Sequence, residues 1–120
     1  MTRQRQGLGR RGEELAAAFL ERAGYRILAR NYRTRAAELD IVARHHDQLV
    51  FVEVKSRNNQ AFGSPFEAIT AGKQRKIALG ASEYLARETA STQAARFDVV
   101  AVSFVDGKPE IEHLPNAFEL

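Results

Sequence analysis

The segment LVFVEVK at residues 49–55 constrains the fold of this chain more than any other stretch. Its first four residues are apolar on both faces of a strand, which is typical of a central strand buried between two layers. Glu53 and Lys55 then interrupt the apolar run. Because side chains alternate along a strand, these two charged groups share one face. Buried charges need a partner or an ion, so this strand predicts a functional or ion-paired site.

The rest of the chain predicts helices and strands around this buried strand. Apolar residues at helical spacing indicate a first helix over residues 9–23 and a second helix that begins at the N-cap Thr70. Alternating or β-branched runs indicate the remaining strands, at residues 25–33, 37–44, 96–105 and 110–113. Helices that cover a mixed central sheet are the economical packing for this order of elements. We therefore predict one α/β domain over residues 9–120, with residues 1–8 as a flexible basic tail.

A tight turn at residues 45–48, HHDQ, joins the second strand to LVFVEVK, so these two strands should pair antiparallel. If the hairpin closes symmetrically around this turn, opposed residues have numbers that sum to 93. Asp40 then faces Glu53, and Glu38 faces Lys55. Opposed residues share a face, so the four charged side chains form one predicted patch. The helix between the third and fourth strands permits a parallel crossover between them.

Two carboxylates directly opposite each other repel, so Asp40 and Glu53 need a compensating group. Mg²⁺, or Mn²⁺ in its place, is the natural partner because it takes oxygen ligands and is often held by one or two carboxylates with phosphate and water. Lys55 beside them can orient an attacking water, and such a set is suited to cutting a phosphodiester. The same residues leave an alternative open, a buried salt-bridge cluster in which Glu38 pairs with Lys55 and one carboxyl group is protonated.

Four further residues are candidates to extend this site. Glu13 lies on the core-facing edge of the first helix, and Lys73 lies on the sheet-facing side of the second, where it can reach a phosphate. Arg33 and Arg57 flank the site in sequence and are candidates to bind nucleic-acid backbone phosphate. An ordinary role stays open for each: a helix-dipole interaction for Glu13, a snorkelling side chain for Lys73, and surface charge for the arginines.

The composition narrows the classes of protein to consider. The chain has no cysteine, so it has no disulfide and no thiolate zinc site, which fits a reducing cytoplasm. Its N-terminus lacks the apolar stretch of a secretory signal, and its longest apolar run is too short to span a bilayer. We therefore expect a soluble, cytoplasmic protein with no membrane partner. The net charge of +3 is compatible with a nucleic-acid partner but does not select one.

The chain resembles the YraN-like bacterial proteins in the stretches GRRGEELAAAFLERAGYRILARNYR, AELDIVA, LVFVEVKSR, FGSPFEAIT and RFDVVAV. That family is similar to the PD-(D/E)XK nucleases, and particularly to archaeal Holliday-junction resolvases. The resemblance implies a restriction endonuclease-like three-layer domain with an αβββαβ core and a Mg²⁺-dependent site. Carried over by position, it places the helix acid at Glu13, the motif aspartate at Asp40, and the E-x-K element at Glu53 and Lys55. Ala37 departs from the family's usual glycine, which leaves substrate approach at that edge open.

These observations lead to the hypothesis of a Mg²⁺-dependent endonuclease that acts on DNA, with branched or damaged DNA as the expected substrate. Asp40, Glu53 and the Val54 carbonyl would bind the metal, Lys55 would position the attacking water, and Glu13 would support a bound water or a second ion. One alternative is a nucleic-acid-binding module that keeps the fold and does not cut. Another is an interaction protein whose acidic patch is structural. The resolvase resemblance also suggests a homodimer, although the sequence shows no interface.

Overall fold

A computed structural model describes residues 3–58, 64–89 and 95–119 of the chain. The predicted order of helices and strands is confirmed, and residues 59–63, between the predicted strand LVFVEVK and the second helix, lie outside the described residues. The elements are α1 (Arg3–Arg22), β1 (Arg26–Arg33), β2 (Glu38–His45), β3 (Gln48–Asn58), a 3₁₀ helix (Pro65–Ala68), α2 (Ala71–Glu88), β4 (Ala95–Val105) and β5 (Lys108–Phe118).

The five strands form one mixed sheet in the order β1-β2-β3-β4-β5. β3 and β4 are parallel, and every other neighbouring pair is antiparallel. Ile41 stands opposite Val52 and Val42 opposite Phe51, so the predicted hairpin register is confirmed from the turn as far as Ile41, where the pairing ends. The parallel pair needs a crossover connection, which α2 provides between β3 and β4.

The two helices cover opposite faces of the sheet. Leu20 of α1 packs with Val50 and Val52 in one core cluster, whereas Ile77 of α2 packs with Phe51 in the other. Because β3 is buried on both faces, it carries apolar side chains on both faces from Leu49 to Val52, and the first charged residue is Glu53. This helix–sheet–helix arrangement is the restriction endonuclease-like three-layer domain predicted from the sequence.

The first helix is longer than predicted. It begins at Arg3 rather than near residue 9, so residues 3–8 of the predicted flexible tail belong to α1, and residues 1–2 lie outside the described residues. Four of the six residues 3–8 are arginine or glutamine, which favour helix. The helix ends where expected, since Gly24 has φ 93° and the Tyr25 N–H donates back to the Leu20 carbonyl at 2.9 Å.

The other helix and the last strand follow the same logic. Thr70 caps α2 as predicted, because its side-chain oxygen accepts from the Lys73 N–H at 3.2 Å. β5 was predicted only over residues 110–113, but it runs from Lys108 to Phe118. Pro115 argued against a longer strand in the sequence, but β5 is an edge strand, and edge strands tolerate proline. Neither α-helix of the described residues has the length and apolar character needed to cross a membrane.

Candidate active site

Five of the charged residues singled out in the sequence meet at one open cavity between the sheet and the two helices. The cavity has a volume of about 480 Å³. It is lined by Gly9 and Glu13 of α1, Asp40 of β2, residues 53–56 of β3 and Lys73 of α2. The structure therefore brings together all of the residues predicted to be catalytic or metal-binding, and it adds Lys73 to them.

Asp40 lies where β2 departs from regular strand geometry. Strict alternation would place Leu39 on the same face as Ile41, but Leu39 packs with Val42 in the α2-side core and Ile41 packs in the α1-side core. Backbone pairing with β3 ends at Ile41. One residue further, a carboxylate oxygen of Asp40 accepts the Val54 N–H at 2.8 Å. The Asp40 carboxylate thus takes the place of the next backbone carbonyl as acceptor, and this hydrogen bond holds Asp40 against β3.

Asp40 and Glu53 form an acidic pair on the cavity wall. Each is partly buried, and their carboxyl groups interact directly. Burial is the main reason that the pKa of Asp40 rises to about 6; the Val54 N–H opposes this effect and the charge of Glu13 reinforces it. Burial and the charge of Asp40 raise the pKa of Glu53 to about 8, against the opposing charge of Lys73. At neutral pH the pair therefore shares a proton, as adjacent carboxylates do without a cation.

Two lysines bring positive charge to this pair. Lys73 lies in the first turn of α2, and its charge lowers the pKa of both Asp40 and Glu53. Lys55 follows two residues after Glu53 on the same face of β3, and its charge also lowers the pKa of Glu53. The pKa values of both carboxyl groups nevertheless stay raised, so the two ammonium groups do not supply all the positive charge that the pair would accept.

Glu13 reaches the cavity because α1 lies unusually close to β3. A Cβ atom added at Gly12 would lie 1.8 Å from Ser56 Oγ and 2.9 Å from Ser56 Cβ, so only glycine permits this approach. Sequence reasoning missed this contact. The available signal was a glycine inside a helical pattern, which costs stability relative to alanine and therefore needs a packing reason.

Three charged residues considered in the sequence lie outside the cavity. Glu38 stands opposite Arg33 in the β1–β2 ladder, and their side chains approach to 3.9 Å at the surface. The prediction that Glu38 shares a patch with Lys55 is therefore wrong, and so is the salt-bridge alternative built on that pair, because β2 changes its facing at Asp40. The Arg57 Nε donates to a hydroxyl on β4 at 3.3 Å. Phosphate binding by Arg33 and Arg57 stays a prediction.

A second polar cluster on the α1 side of the sheet is structural. Asp98 is fully buried and accepts hydrogen bonds from the Tyr25 hydroxyl, the Arg96 guanidinium and the Asn116 N–H, and it bonds His113 at 2.8 Å. Burial raises the pKa of Asp98, but the bonds from His113, Arg96 and Asn116 outweigh it and lower the pKa to about 2. Every carboxylate oxygen has partners, so this cluster has no capacity for a ligand.

Comparison with known proteins assigns the chain to a family. The model described as "Uncharacterised protein family UPF0102" matches residues 12–102, a range that includes every residue of the cavity wall except Gly9. The chain belongs to the UPF0102 family. A UPF0102 protein of Geobacter metallireducens is 48% identical over 120 residues, which cover 100% of this chain and 98% of that protein. A UPF0102 protein of Rhodococcus opacus is 47% identical, over 92% of this chain and 95% of its own length. These matches confirm the family resemblance seen in the sequence.

Proposed function

We propose that this UPF0102 protein is a Mg²⁺-dependent endonuclease that acts on DNA, with Mn²⁺ as an accepted substitute. The observation that carries the proposal is the proton-sharing pair of Asp40 and Glu53 in an open cavity. Two neighbouring, partly buried carboxyl groups that both have a raised pKa gain most from a divalent cation between them. A cluster kept only for stability would gain as much from apolar residues of similar volume.

The donor set fits a hard cation. Asp40 and Glu53 supply carboxylate oxygens, and the Val54 carbonyl is a backbone candidate beside them. Within the described ranges, no three carboxylate or imidazole side chains converge closely enough to hold an ion by themselves. This pattern favours Mg²⁺, which keeps several water or phosphate ligands, over a cation enclosed by protein side chains. When bound, the metal would polarise a phosphoryl oxygen and stabilise the developing negative charge.

The remaining cavity residues have roles that follow from their charge and position. Lys55 lies beside Glu53 and would orient the attacking water while neutralising charge near the phosphate. Lys73 approaches from α2 and would bind a phosphate oxygen as a point charge. Glu13 already acts on Asp40 through its charge, and it would accept a hydrogen bond from a water in the cavity. Branched or damaged DNA is the substrate class we propose, on the family resemblance.

The first experiment is calorimetric titration of Mn²⁺ and Mg²⁺ into wild type and into Asp40→Asn/Glu53→Gln. Both substitutions keep the size of the side chains and remove only charge. We expect the double variant to lose at least about 100-fold in Mn²⁺ affinity, since it removes direct ligands. Glu38→Gln is the matched control, because it removes a carboxylate just outside the cavity. It should bind Mn²⁺ within about twofold of wild type.

The second experiment is a cleavage screen over branched, nicked and single-stranded DNA with each metal. Lys55→Gln should keep metal affinity and lose cleavage, because the lysine acts on the water rather than on the ion. Cleavage that survives Asp40→Asn/Glu53→Gln would contradict the proposal. DNA and metal binding without cleavage of any substrate would favour the non-cutting module instead.

A further inference from the structure

The edge strand β1 carries a high density of arginine. Residues 22–35 contain five arginines, no lysine and no acidic residue, so their formal charge is +5. The whole chain has a net charge of +3, which leaves −2 for all other residues together. β1 is the first strand in the sheet order, so one side of its backbone is unpaired. Positive charge is therefore concentrated along one edge of the molecule.

Three of these arginines have no acidic partner in the described structure, whereas Arg33 approaches Glu38 at 3.9 Å. Arg22, Arg26 and Arg30 are exposed, and none of the three forms an ion pair within the part of the chain that the structure describes. Arg26 also stands directly opposite Arg44 in the β1–β2 ladder. Like charges at opposed positions destabilise a sheet, so the folded protein alone gains nothing from this arrangement. A ligand of opposite charge would relieve it.

The use of arginine rather than lysine indicates the chemical class of this ligand. Proteins protect exposed edge strands mainly with lysine, whose compact charge discourages pairing with another chain. Arginine is the only charged residue type in residues 22–35. Its planar guanidinium can donate two parallel hydrogen bonds to a phosphate. We infer that the β1 edge, with Arg22, Arg26, Arg30 and Arg33, binds the phosphate backbone of DNA. The inference rests on the proposed function, because it supplies the surface that guides a phosphodiester to the cavity.

The position of β1 suits this role. Arg30 stands opposite Ile41, the residue after Asp40, and neighbouring strands lie about 4.8 Å apart. From Arg26 to Arg33 the strand extends about 23 Å, the rise of about seven base pairs of duplex. DNA lying along the edge would thus pass the end of the cavity that Asp40 forms.

The test is equilibrium binding of a DNA duplex of about 30 base pairs, followed by fluorescence anisotropy from 50 to 200 mM salt with EDTA present. Arg26→Gln/Arg30→Gln should weaken binding at least about tenfold and reduce the slope of log affinity against log salt by about 2, one unit for each phosphate contact. The matched control is Lys76→Gln/Lys108→Gln, which removes the same charge from α2 and β5. It should change affinity less than about threefold. Arg26→Lys/Arg30→Lys should show an intermediate loss, because charge is kept and the bidentate bonds are not.

Equal losses in the two glutamine pairs would overturn the inference, since net charge alone would then explain them. So would binding of Arg26→Gln/Arg30→Gln at wild-type affinity, or a wild type that does not bind the duplex at 50 mM salt. Because EDTA removes divalent metal, the result does not depend on the acidic pair. Loss of the proposed nuclease activity and loss of the arginine surface are thus separate outcomes. Circular dichroism should show the same melting temperature within about 3 °C, because exposed substitutions rarely change stability more.

Discussion

Gly12→Ala should move α1 away from the candidate active site. The added Cβ would lie 1.8 Å from Ser56 Oγ, a contact that rotation of the serine side chain can relieve. It would still lie 2.9 Å from Ser56 Cβ, whereas carbon atoms in contact lie about 3.5 Å apart or more. Helix and strand must therefore separate by about 0.6 Å even after the serine rotates. Glu13, the next residue, moves with the helix.

The magnitude follows from two opposing effects. Overpacking a close contact costs about 1–3 kcal/mol, and alanine gains about 1 kcal/mol over glycine within a helix. We expect a net loss of about 1 kcal/mol in the free energy of unfolding, measured by urea denaturation. Gly9→Ala is the matched control, because a Cβ there would meet nothing within 4 Å. This control should gain up to about 1 kcal/mol, so the two variants should differ by about 2 kcal/mol.

The functional readout is Mn²⁺ affinity by calorimetry. Displacing a carboxylate that supports a metal site typically costs about tenfold or more in affinity, and we expect that loss in Gly12→Ala. Adding Ser56→Gly removes both atoms nearest to the new Cβ and should restore most of the affinity. The reasoning is refuted if Gly12→Ala is as stable as Gly9→Ala, or if its Mn²⁺ affinity equals that of wild type while Asp40→Asn/Glu53→Gln loses it.

Three further predictions concern pH and charge. In the metal-free protein the raised pKa of Glu53, about 8, lets the folded state keep a proton that the unfolded chain loses above about 4.5, so stability should fall from pH 4.5 to 8. Glu53→Gln should flatten this decline in urea unfolding, and an unchanged slope would contradict the assignment. Over the same range Mn²⁺ affinity of wild type should rise, by up to about tenfold for each pH unit, because protons compete with the metal; calorimetry at pH 6, 7 and 8 measures this. The lowered pKa of Asp98, about 2, contributes about 2 kcal/mol to the free energy of unfolding. This contribution is present above about pH 4 and is lost as the pH falls through about 2. Asp98→Asn should remove this acid dependence and cost about 3–5 kcal/mol at pH 7 by leaving Arg96 unpaired, and an acid unfolding curve like that of wild type would refute the role of the network.

Local sequence patterns were enough to predict the part of the site that one hairpin carries. The two-residue period of LVFVEVK places Glu53 and Lys55 on one face, and a tight turn sets the register that brings Asp40 close to Glu53. Both relations act over short separations along the chain, where spacing alone fixes geometry. The same local patterns placed Lys73 near the start of α2 on its sheet-facing side.

The packing of the layers sets which other residues join that hairpin. An alternation rule assigned Glu38 to the patch, but the change of facing at Asp40 turns Glu38 toward Arg33. The reach of Glu13 depends on how closely α1 approaches β3, which the contact between Gly12 and Ser56 sets. His113 likewise finds its partner Asp98 only because β5 pairs with β4. Such contacts depend on the packing distance between layers and on local departures from ideal geometry, and a periodic pattern in the sequence encodes neither.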